Sequence, residues 1–508
     1  MSNGTGTIYR PGVAVSSRAS SPPEGAPTDT SVAFIVGEAS QGPLTPTAIT
    51  SLDQFTAVYG PRLASSYLYD AVEAFLREGG SRCYVSRLVD GAAAATGTIP
   101  GPPAATVTAN GPGTYANGWS LVVAAATRAA STEADESEQV QRPSRLTTPR
   151  AAGDPYTAQL LDANDNVLQQ SLQLYTTDDL AAWLNSQSYA TLTGYTPGQD
   201  LAAETINLTG GDDGTLPVID DTALADTLDA IPSELGPGQI LAPGKTDPNM
   251  QAALLVHAST RNRVALLDGA QGADTPTLIA QASALRGALE DRYGALFAPW
   301  ATVPGIARGS TRVIPWSPIQ AGLIARLDAQ TGNANRAAAG EFGQSYFALG
   351  LTDSWSDADR QTLLYAGVNT ARVRYGNVRG YGFRSLSDEN GLNGEWVQLN
   401  WSRLNMQIVA LAEEIGEEYV FSQIDGRGLT ISAFGGELAG ALKVLYDDGA
   451  LYGDAPEDAF VVNVSSAVNT PETIADGQLI AVLSVKMSPH AELVEIDIVK
   501  VELTEALA

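Results

Sequence analysis

The sequence predicts a multidomain fold of the α/β (α+β) class, with mixed sheets and helices, one inserted β-rich domain and extended terminal arms. The chain has 508 residues, and at about 100–200 residues per domain it has room for three or four domains. It contains 50 Gly and 28 Pro, which favours many turns and strands. Strand-like and helix-like segments also alternate along the chain, an order typical of α/β and α+β proteins.

The first 95 residues combine an extended arm with the beginning of an α/β core. Residues 1–25 are rich in Ser, Pro, Thr and Gly. Pro11 has no N–H to donate, which confines the strand around it to a sheet edge or to a partner outside its own sheet. Residues 26–95 then follow the order strand, helix, helix, strand. These elements are predicted over residues 31–37, from Ser51 onward, over 67–78 and over 82–88.

A change of composition at Gly91 marks the start of a second unit. Residues 96–215 contain several strand-like segments and few helical ones, so we predict an inserted β-rich domain. The polar stretch over 132–150 within it is expected to form a surface loop.

The second half of the chain resumes the α/β pattern. A middle α/β domain is predicted over 216–375 and a C-terminal domain over 376–490, which includes an amphipathic helix over 399–418. The last segment, over 491–508, is predicted to be a terminal strand. Its apolar residues change face midway, which a bulge or a twist would produce. They are Val494, Ile496 and Ile498 on one face, then Val499, Val501 and Leu503.

The charge balance argues against two classes of partner. The chain carries 29 Lys and Arg against 57 Asp and Glu, a formal net charge of −28. Binding to nucleic acid or to an anionic membrane surface depends on clustered Lys and Arg, so we expect neither. No apolar run approaches the ~18 residues that a membrane-spanning helix needs. Residues 1–10 also lack the apolar region of a signal peptide.

Residues that carry chemistry are scarce. The single cysteine, Cys83, cannot form an intrachain disulfide or a cysteine-based zinc site, and the two histidines, His257 and His490, lie far apart in sequence. Residues 238–246 resemble a phosphate-binding loop, but five residues separate its two glycines. Four are needed for consecutive N–H groups to wrap a phosphate. We therefore predict no catalytic residue, no metal ligand and no cofactor.

One charge pattern points to an interface. Between residues 360 and 384 the chain has five arginines and no acid, whereas residues 441–508 hold 12 acids against three lysines. This is either a chance patch or one of two complementary surfaces, which would set register and docking rate. The arginines that we assign to this candidate patch are Arg372, Arg374, Arg379 and Arg384.

Short motifs occur along the chain in a characteristic order. In the first part they are PGVAV at 11–15, SVAFIVGEA at 31–39 and GGSRCYVSR at 79–87. In the second part they are ALFAPW at 295–300, AGLIARLD at 321–328 and GALYG at 449–453. Taken together they resemble the contractile tail sheath proteins of myophages, R-type bacteriocins and related contractile injection systems. The resemblance covers about residues 1–95 and 220–508 and skips the insertion.

One segment departs from the family pattern. After Asp328 the family commonly has a run of the form Gly-x-x-x-Ala-Pro-Ala-Asn, whereas residues 331–338 read TGNANRAA. The contact made by this loop is therefore left open.

The resemblance implies a mechanical function. Sheath subunits form hexameric rings stacked as a helix around an inner tube, and a baseplate triggers a contraction that drives the tube through a target envelope. The implied fold is a sheath core built from the N- and C-terminal parts, with the insertion on the outer surface. The implied partners are further copies of the chain, the inner tail tube protein, the baseplate and the tail terminator or cap proteins. The implied location is a virion tail, or a released injection particle, assembled in the host cytoplasm.

The resemblance also assigns residues to contacts. In the family, both terminal arms pair with strands of neighbouring subunits, which extended segments do by adding to a sheet edge. The arm residues expected to make this contact are Tyr9, Pro11, Val13, Val15, Val494, Ile496, Ile498, Val499 and Val501. The C-terminal domain would face the tube, and the helix over 437–446 would contribute Glu437 and Lys443.

Two other classes of function are compatible with the sequence. One is a soluble α/β enzyme with an unrecognised active site. The other is a monomeric protein that binds a carbohydrate or another surface. Self-assembly into tubes would separate the sheath from both.

Overall fold

A computed structural model describes residues 29–101, 104–126, 155–186 and 189–496. The predicted N-terminal arm lies outside these ranges. So do the predicted surface loop over 132–150 and residues 497–508 of the predicted C-terminal arm.

Helices and strands alternate through the described ranges, which confirms the mixed α/β class. The strands are β1 (Ala33–Gly37), β2 (Thr47–Ile49), β3 (Cys83–Arg87), β4 (Thr96–Ile99), β5 (Ala105–Ala109), β6 (Ser120–Ala125), β7 (Tyr156–Leu161), β8 (Val167–Gln170), β9 (Ala190–Thr193), β10 (Glu204–Asn207), β11 (Gln239–Leu241), β12 (Val264–Asp268), β13 (Gly294–Ala298), β14 (Ala301–Pro304), β15 (Thr311–Ile314), β16 (Gly350–Leu351), β17 (Val368–Arg374), β18 (Asn377–Gly380), β19 (Phe460–Asn463) and β20 (Val482–Val485). The helices are α1 (Leu52–Tyr59), α2 (Leu68–Glu78), α3 (Thr177–Asn185), α4 (Asp221–Asp229), α5 (Pro248–Thr260), α6 (Thr275–Leu285), α7 (Ser317–Thr331), α8 (Asp357–Tyr365), α9 (Leu399–Tyr419), α10 (Leu429–Asp447), α11 (Pro456–Ala459) and α12 (Pro471–Ala475).

The largest sheet has eight strands in the order β18-β17-β13-β12-β11-β1-β3-β2. Its six inner strands run parallel, and the two edge strands, β18 and β2, run antiparallel to their neighbours. Parallel sheets are covered by helices on both faces, so their strands are continuous apolar runs. Four inner strands are buried at every position, namely AFIVG in β1, QIL in β11, VALLD in β12 and GALFA in β13.

Two hydrophobic cores lie on opposite faces of this sheet. Side chains alternate along a strand, so in β1 Ala33 and Ile35 belong to one core, and Phe34 and Val36 belong to the other. The first core also contains residues of α1, α2 and α7, and the second contains residues of α4, α5, α6 and α8. The body of the chain is therefore a three-layer sandwich around the main sheet.

A third core lies in the unit predicted as an insertion. Two antiparallel sheets, β4-β5-β9 and β10-β6-β7-β8, enclose it together with helix α3. The chain enters and leaves this unit side by side, because Ala93 is bridged to Asp212 and Thr96 to Thr209. An insertion requires this arrangement, since the interrupted domain must resume where it stopped. The boundaries at 96 and 215 stay a prediction.

The C-terminal region forms a smaller unit with a fourth core. Helix α10 packs against α9 on one side and against β19 on the other. Leu404 of α9 and Leu442 and Leu445 of α10 belong to this core, and Leu483 of β20 packs against it. The insertion therefore interrupts the main body, whose two cores share one sheet, and the C-terminal unit follows the main body in the chain.

The main body extends further along the chain than the predicted boundary at residue 376. That position is the turn between β17 and β18, which pair with each other at the edge of the main sheet. Leu386 and Leu399 still belong to its two cores. In the hairpin Val373 lies between Arg372 and Arg374, and Arg379 follows Val378, so its sequence lacks the apolar run of a buried strand. Residues 491–496, predicted as the first part of the terminal strand, form no strand.

Candidate assembly surfaces

The two-stranded sheet of the C-terminal unit offers two open edges. Strands β19 and β20 pair antiparallel, with Phe460 opposite Val485 and Asn463 opposite Val482. Within the described ranges neither strand has a second strand partner. A sheet of two strands is only marginally stable by itself, and each open edge presents N–H and C=O groups to any extended segment. The sheet can therefore accept further strands.

The face of this sheet that points away from α10 is partly apolar. Val461 is 55% exposed and Val482 is 45% exposed, whereas a strand face in contact with water usually carries polar residues. The isolation of these two strands as a pair becomes visible only in three dimensions. Exposed apolar side chains beside open edges are typical of an interaction surface.

Two of the predicted arm residues fall within the described ranges. Val494 and Ile496 lie beyond β20 and are 73% and 79% exposed. Neither pairs with a strand of the described chain. The other predicted arm residues lie outside the described ranges, namely Tyr9, Pro11, Val13, Val15, Ile498, Val499 and Val501.

Helix α10 carries both residues predicted to face a tube. Lys443 Nζ lies 2.5 Å from Asp447 Oδ2, one turn later on the exposed face. Such a surface pair adds little stability. Glu437 interacts with the hydroxyl of Tyr419 at the end of α9. The exposed side of α10 thus presents a nearly neutral ion pair next to the exposed Val444.

Partners in the same chain hold two arginines of the candidate patch. Arg372 stacks on the ring of Tyr381, with its guanidinium carbon 3.5 Å from the ring centroid, and lies 3.6 Å from Asp357. Arg379 forms an ion pair with Glu341. Both arginines therefore have acidic partners within the chain.

Arg384 joins the patch to the acidic C-terminal region. Its guanidinium lies 3.0 Å from Glu389 and 2.5 Å from Glu492, a residue 108 positions later in the chain. The charge complementarity that the sequence indicates is thus partly used inside one subunit, where it holds the chain just beyond β20.

Arg374 differs from these three because it forms no ion pair within 4 Å among the described residues. It lies at the tip of the β17–β18 hairpin, with its guanidinium carbon 5.0 Å from the centroid of the Tyr375 ring. Tyr375 is 84% exposed and has a left-handed φ of 51°. Arginine and tyrosine are enriched in binding hot spots. Tyr375 could not be singled out from the sequence, where only Gly376 after it favours a turn.

The side chains with the most reactive chemistry are engaged in structural contacts. Burial raises the pKa of Cys83 to about 12, so its thiol is not a nucleophile at neutral pH. His257 Nε2 lies 2.8 Å from Arg263 Nη1 in a buried pair. In the loop that resembles a phosphate-binding loop, Lys245 lies 2.5 Å from Glu38 Oε1. Among residues 29–101, 104–126, 155–186 and 189–496, no three His, Cys, Asp or Glu side chains gather as a metal site requires.

A groove of about 820 Å³ opens beside α9. Four exposed glutamates of this helix line it, namely Glu413, Glu414, Glu417 and Glu418. Arg261 and Glu234 face them from the main body. The glutamates have the spacing of a solvated helix face, as their sequence pattern indicates. In the part of the chain that the structure describes, no helix combines the length and the apolar character needed to cross a membrane.

Solved structures share this fold, although no protein-family model and no curated protein matches the sequence. A chain of the anti-feeding prophage baseplate has 15% identity and a TM-score of 0.56, over 97% of this chain and 99% of that chain. The sheath tail protein of Listeria innocua has 13% identity and a TM-score of 0.57, over 86% of this chain and 89% of that chain. A chain of the contracted PVC sheath, from an extracellular contractile injection system, has 14% identity and a TM-score of 0.54, over 97% and 98%.

These likenesses establish the fold of the chain. The resemblance to contractile sheath proteins, drawn first from short motifs, is confirmed at the level of the fold. The likeness also extends beyond those motifs. The alignment with the baseplate chain and the alignment with the PVC sheath chain each cover 97% of this chain.

Proposed function

We propose that the chain is a structural subunit of a contractile sheath. In this proposal it polymerises helically as hexameric rings around an inner tube and contracts to drive that tube through a target envelope. The observation that carries the proposal is the fold shared with the contracted PVC sheath over 97% of the chain. The open edges of the β19–β20 sheet add an independent reason to expect assembly.

Strands from neighbouring subunits would complete the β19–β20 sheet. Each open edge can pair with an extended segment through main-chain hydrogen bonds, while alternate side chains of that segment reach the sheet face. The proposed segments are the two terminal arms, over residues 1–25 and 491–508. In the second, Val494 and Ile496 are exposed and gain cover from such pairing. In the first, Pro11 is tolerated only at a sheet edge or outside its own sheet.

Contacts of this kind lead to open-ended growth. An arm that leaves one subunit and enters the sheet of the next joins two different surfaces, and such heterologous contacts generate rings or helices. Contraction would then be a change between two packings of the same subunits. The energy would come from the difference between these packings, so the proposal invokes no nucleotide.

Helix α10 is our proposed contact with the inner tube. Lys443→Glu should weaken the coating of the tube while leaving self-assembly intact, because it reverses an exposed charge and touches no core residue. Arg77→Glu, which reverses an exposed charge on α2, is the matched control. Co-sedimentation with preformed tubes measures the effect, and equal binding of the two variants would remove α10 from the interface.

The remaining partners follow from the same role. A sheath begins at a baseplate and ends at a terminator or cap protein, and one chain of similar fold belongs to a baseplate structure. The proposed location is a virion tail or a released injection particle, assembled in the host cytoplasm. We place the insertion on its outer surface. No observation on the described residues favours the alternative of a soluble α/β enzyme.

Deletion of residues 1–23 tests the proposal for the N-terminal arm. The described core begins at Asp29, whose carboxylate lies 3.7 Å from Arg82, so the truncated chain should fold with an unchanged melting temperature. It should form no tubes in electron micrographs, because it cannot supply a strand to its neighbour. Tubes formed equally well by the truncated and full-length chains would refute the arm contact.

A further inference from the structure

A polar cluster, buried except at the half-buried His490, joins the two ends of the described chain near the first turn of α9. Its members come from the segment before β1, the end of α7, the loop after it, α9 and the segment after β20. We call this cluster the polar clamp. It consists of Thr30, Asp328, Asn335, Asn400, Arg403 and His490.

The clamp holds the N-terminal end through one carboxylate. The hydroxyl of Thr30 donates to Asp328 Oδ2 at 2.7 Å, and the guanidinium of Arg403 pairs with the same oxygen. Burial raises the pKa of Asp328, and the charge of Arg403 opposes that effect. Arg403 Nη1 also donates to the carbonyl of Ala334 at 3.0 Å. Thr30 is fixed from its other side as well, since Gln239 Nε2 donates to its carbonyl at 2.6 Å.

The clamp holds the C-terminal end through side chains around the start of α9. The amide of Gln398 makes two hydrogen bonds with the backbone of His490, at 3.2 Å to its carbonyl and 3.1 Å from its N–H. The Nδ2 atom of Asn400 lies 3.1 Å from His490 Nδ1. The indole N–H of Trp401 donates to the carbonyl of Ser488 at 3.2 Å.

Asn335 connects the two halves. It accepts from Asn400 Nδ2 at 2.7 Å and donates to the carbonyls of Ser488, at 3.0 Å, and Ala450, at 2.9 Å. Its neighbour Ala334 is the residue that Arg403 contacts. Asn400 and Arg403 are three residues apart and therefore lie on one face of α9. Asn335 belongs to the loop over 331–338, the segment that departs from the family pattern. This loop therefore contacts α9 and the segment after β20.

We propose that the polar clamp couples the two ends mechanically, so that both arms of a subunit leave from one rigid support. Buried polar groups are costly to leave without partners, so hydrogen bonds that share donors and acceptors resist being broken one at a time. The inference rests on the proposed function for its use. In a sheath, the two arms of a subunit would be pulled by different neighbours. The polar clamp would transmit this force between Thr30 and His490, and the inserted unit would bear none of it.

Hydrogen exchange on the full-length chain tests the coupling. His490→Ala should raise exchange at residues 486–490 directly. It should also raise exchange in a peptide over residues 29–33 by at least about threefold, because members of one hydrogen-bonded network are energetically coupled. Ser345→Ala is the matched control, since this hydroxyl is buried like that of Thr30 but belongs to the separate network around Glu78. It should leave both ends within about 1.5-fold of the wild type.

The reciprocal variant makes the test independent of any damage at the C-terminal end. Thr30→Val removes the donor to Asp328 and keeps the shape of the side chain, and it should raise exchange over residues 486–490 by at least about threefold. Exchange that rises only at the mutated end contradicts the coupling. An equal rise in Ser345→Ala contradicts it too, since the effect would then be general destabilisation. Neither result depends on tube formation, so the failure of the clamp and the failure of the sheath proposal are distinguishable.

Discussion

Glu78 is a fully buried carboxylate that fastens a loop to the end of α2. It accepts hydrogen bonds from the N–H groups of Tyr346, at 3.1 Å, and Phe347, at 3.0 Å, and from the hydroxyl of Ser345. Arg326 pairs with it at 3.2 Å. A buried charge is tolerated when it is paired and hydrogen-bonded, and Glu78 meets both conditions.

Glu78→Ala should lower the free energy of unfolding by about 3–5 kcal/mol, because it leaves the Arg326 guanidinium and two backbone N–H groups without their partner. Denaturation followed by tryptophan fluorescence measures the change. Arg77→Ala, next to it on α2 but with a side chain 65% exposed, should change it by no more than about 0.5 kcal/mol. Equal effects of the two substitutions would show that Glu78 is not an anchor.

His257 is a buried imidazole that the fold keeps neutral. Burial lowers its pKa to about 3, with a further contribution from the neighbouring Arg263. An unfolded chain would protonate the same side chain near pH 6.5. The folded chain therefore binds fewer protons than the unfolded chain between these two values.

The free energy of unfolding should therefore decrease as the pH falls through the range between these two pKa values. The stability that the neutral His257 contributes is present in full above pH 6.5 and is lost as the pH falls toward about 3, by at most about 1.4 kcal/mol per pH unit. His257→Gln keeps an acceptor for Arg263 and cannot titrate. Its free energy of unfolding should fall less steeply than that of the wild type between pH 6.5 and 4. Parallel pH profiles would contradict the assignment.

Deletion of the inserted unit should leave the rest of the chain folded. Because Ala93 is bridged to Asp212, a linker of two glycines can join residues 95 and 212 without straining the main sheet. Arg87 would lose its bond to the carbonyl of Pro112 but keep those to Ala39 and Gly42.

The excised chain should fold and form tubes of smaller outer diameter, as electron microscopy would measure. An insoluble product, or one that folds without assembling, would show that the insertion belongs to the structural body. A variant with the same glycine linker placed after residue 212, with no deletion, controls for the linker itself.

Sequence patterns predict the buried elements well and the exposed ones poorly. The strand predicted over 31–37 corresponds to β1, and the helix predicted over 67–78 corresponds to α2. Their apolar patterns are strong because β1 is buried on both faces and α2 is buried along one stripe. Helix α10 is predicted only over 437–446 but runs over Leu429–Asp447, because Gly435 and Gly436 weaken the signal. Hairpin β17–β18 escapes prediction because arginines interrupt its apolar residues.

The candidate site could be predicted only in part, for a physical reason. Apolar residues in the terminal segments indicate that they need partners, but the open edges of β19 and β20 follow from tertiary packing. The polar clamp brings together Thr30 and His490, which no local pattern relates. Three of the four predicted patch arginines have intrachain ion pairs, a pairing that charge counts along a sequence do not reveal.

At the scale of the whole molecule, like charge opposes assembly. Each subunit carries a formal net charge of −28, so neighbouring copies repel one another at low ionic strength. The screening length shortens from about 10 Å at 0.1 M salt to about 3 Å at 1 M. Tube formation, followed by light scattering, should therefore speed up as salt is raised. A slower rate at high salt would mean that specific interfacial ion pairs outweigh the overall repulsion.

A sheath subunit coats a tube by assembling with itself. Electron microscopy of the full-length chain, co-expressed with its inner tube protein, is the decisive experiment. We expect helically striated cylinders around the tube, in which extra strands from neighbouring subunits flank β19 and β20 in a helical reconstruction. Bare tubes beside a monomeric chain would contradict the proposed role and return the soluble enzyme to consideration.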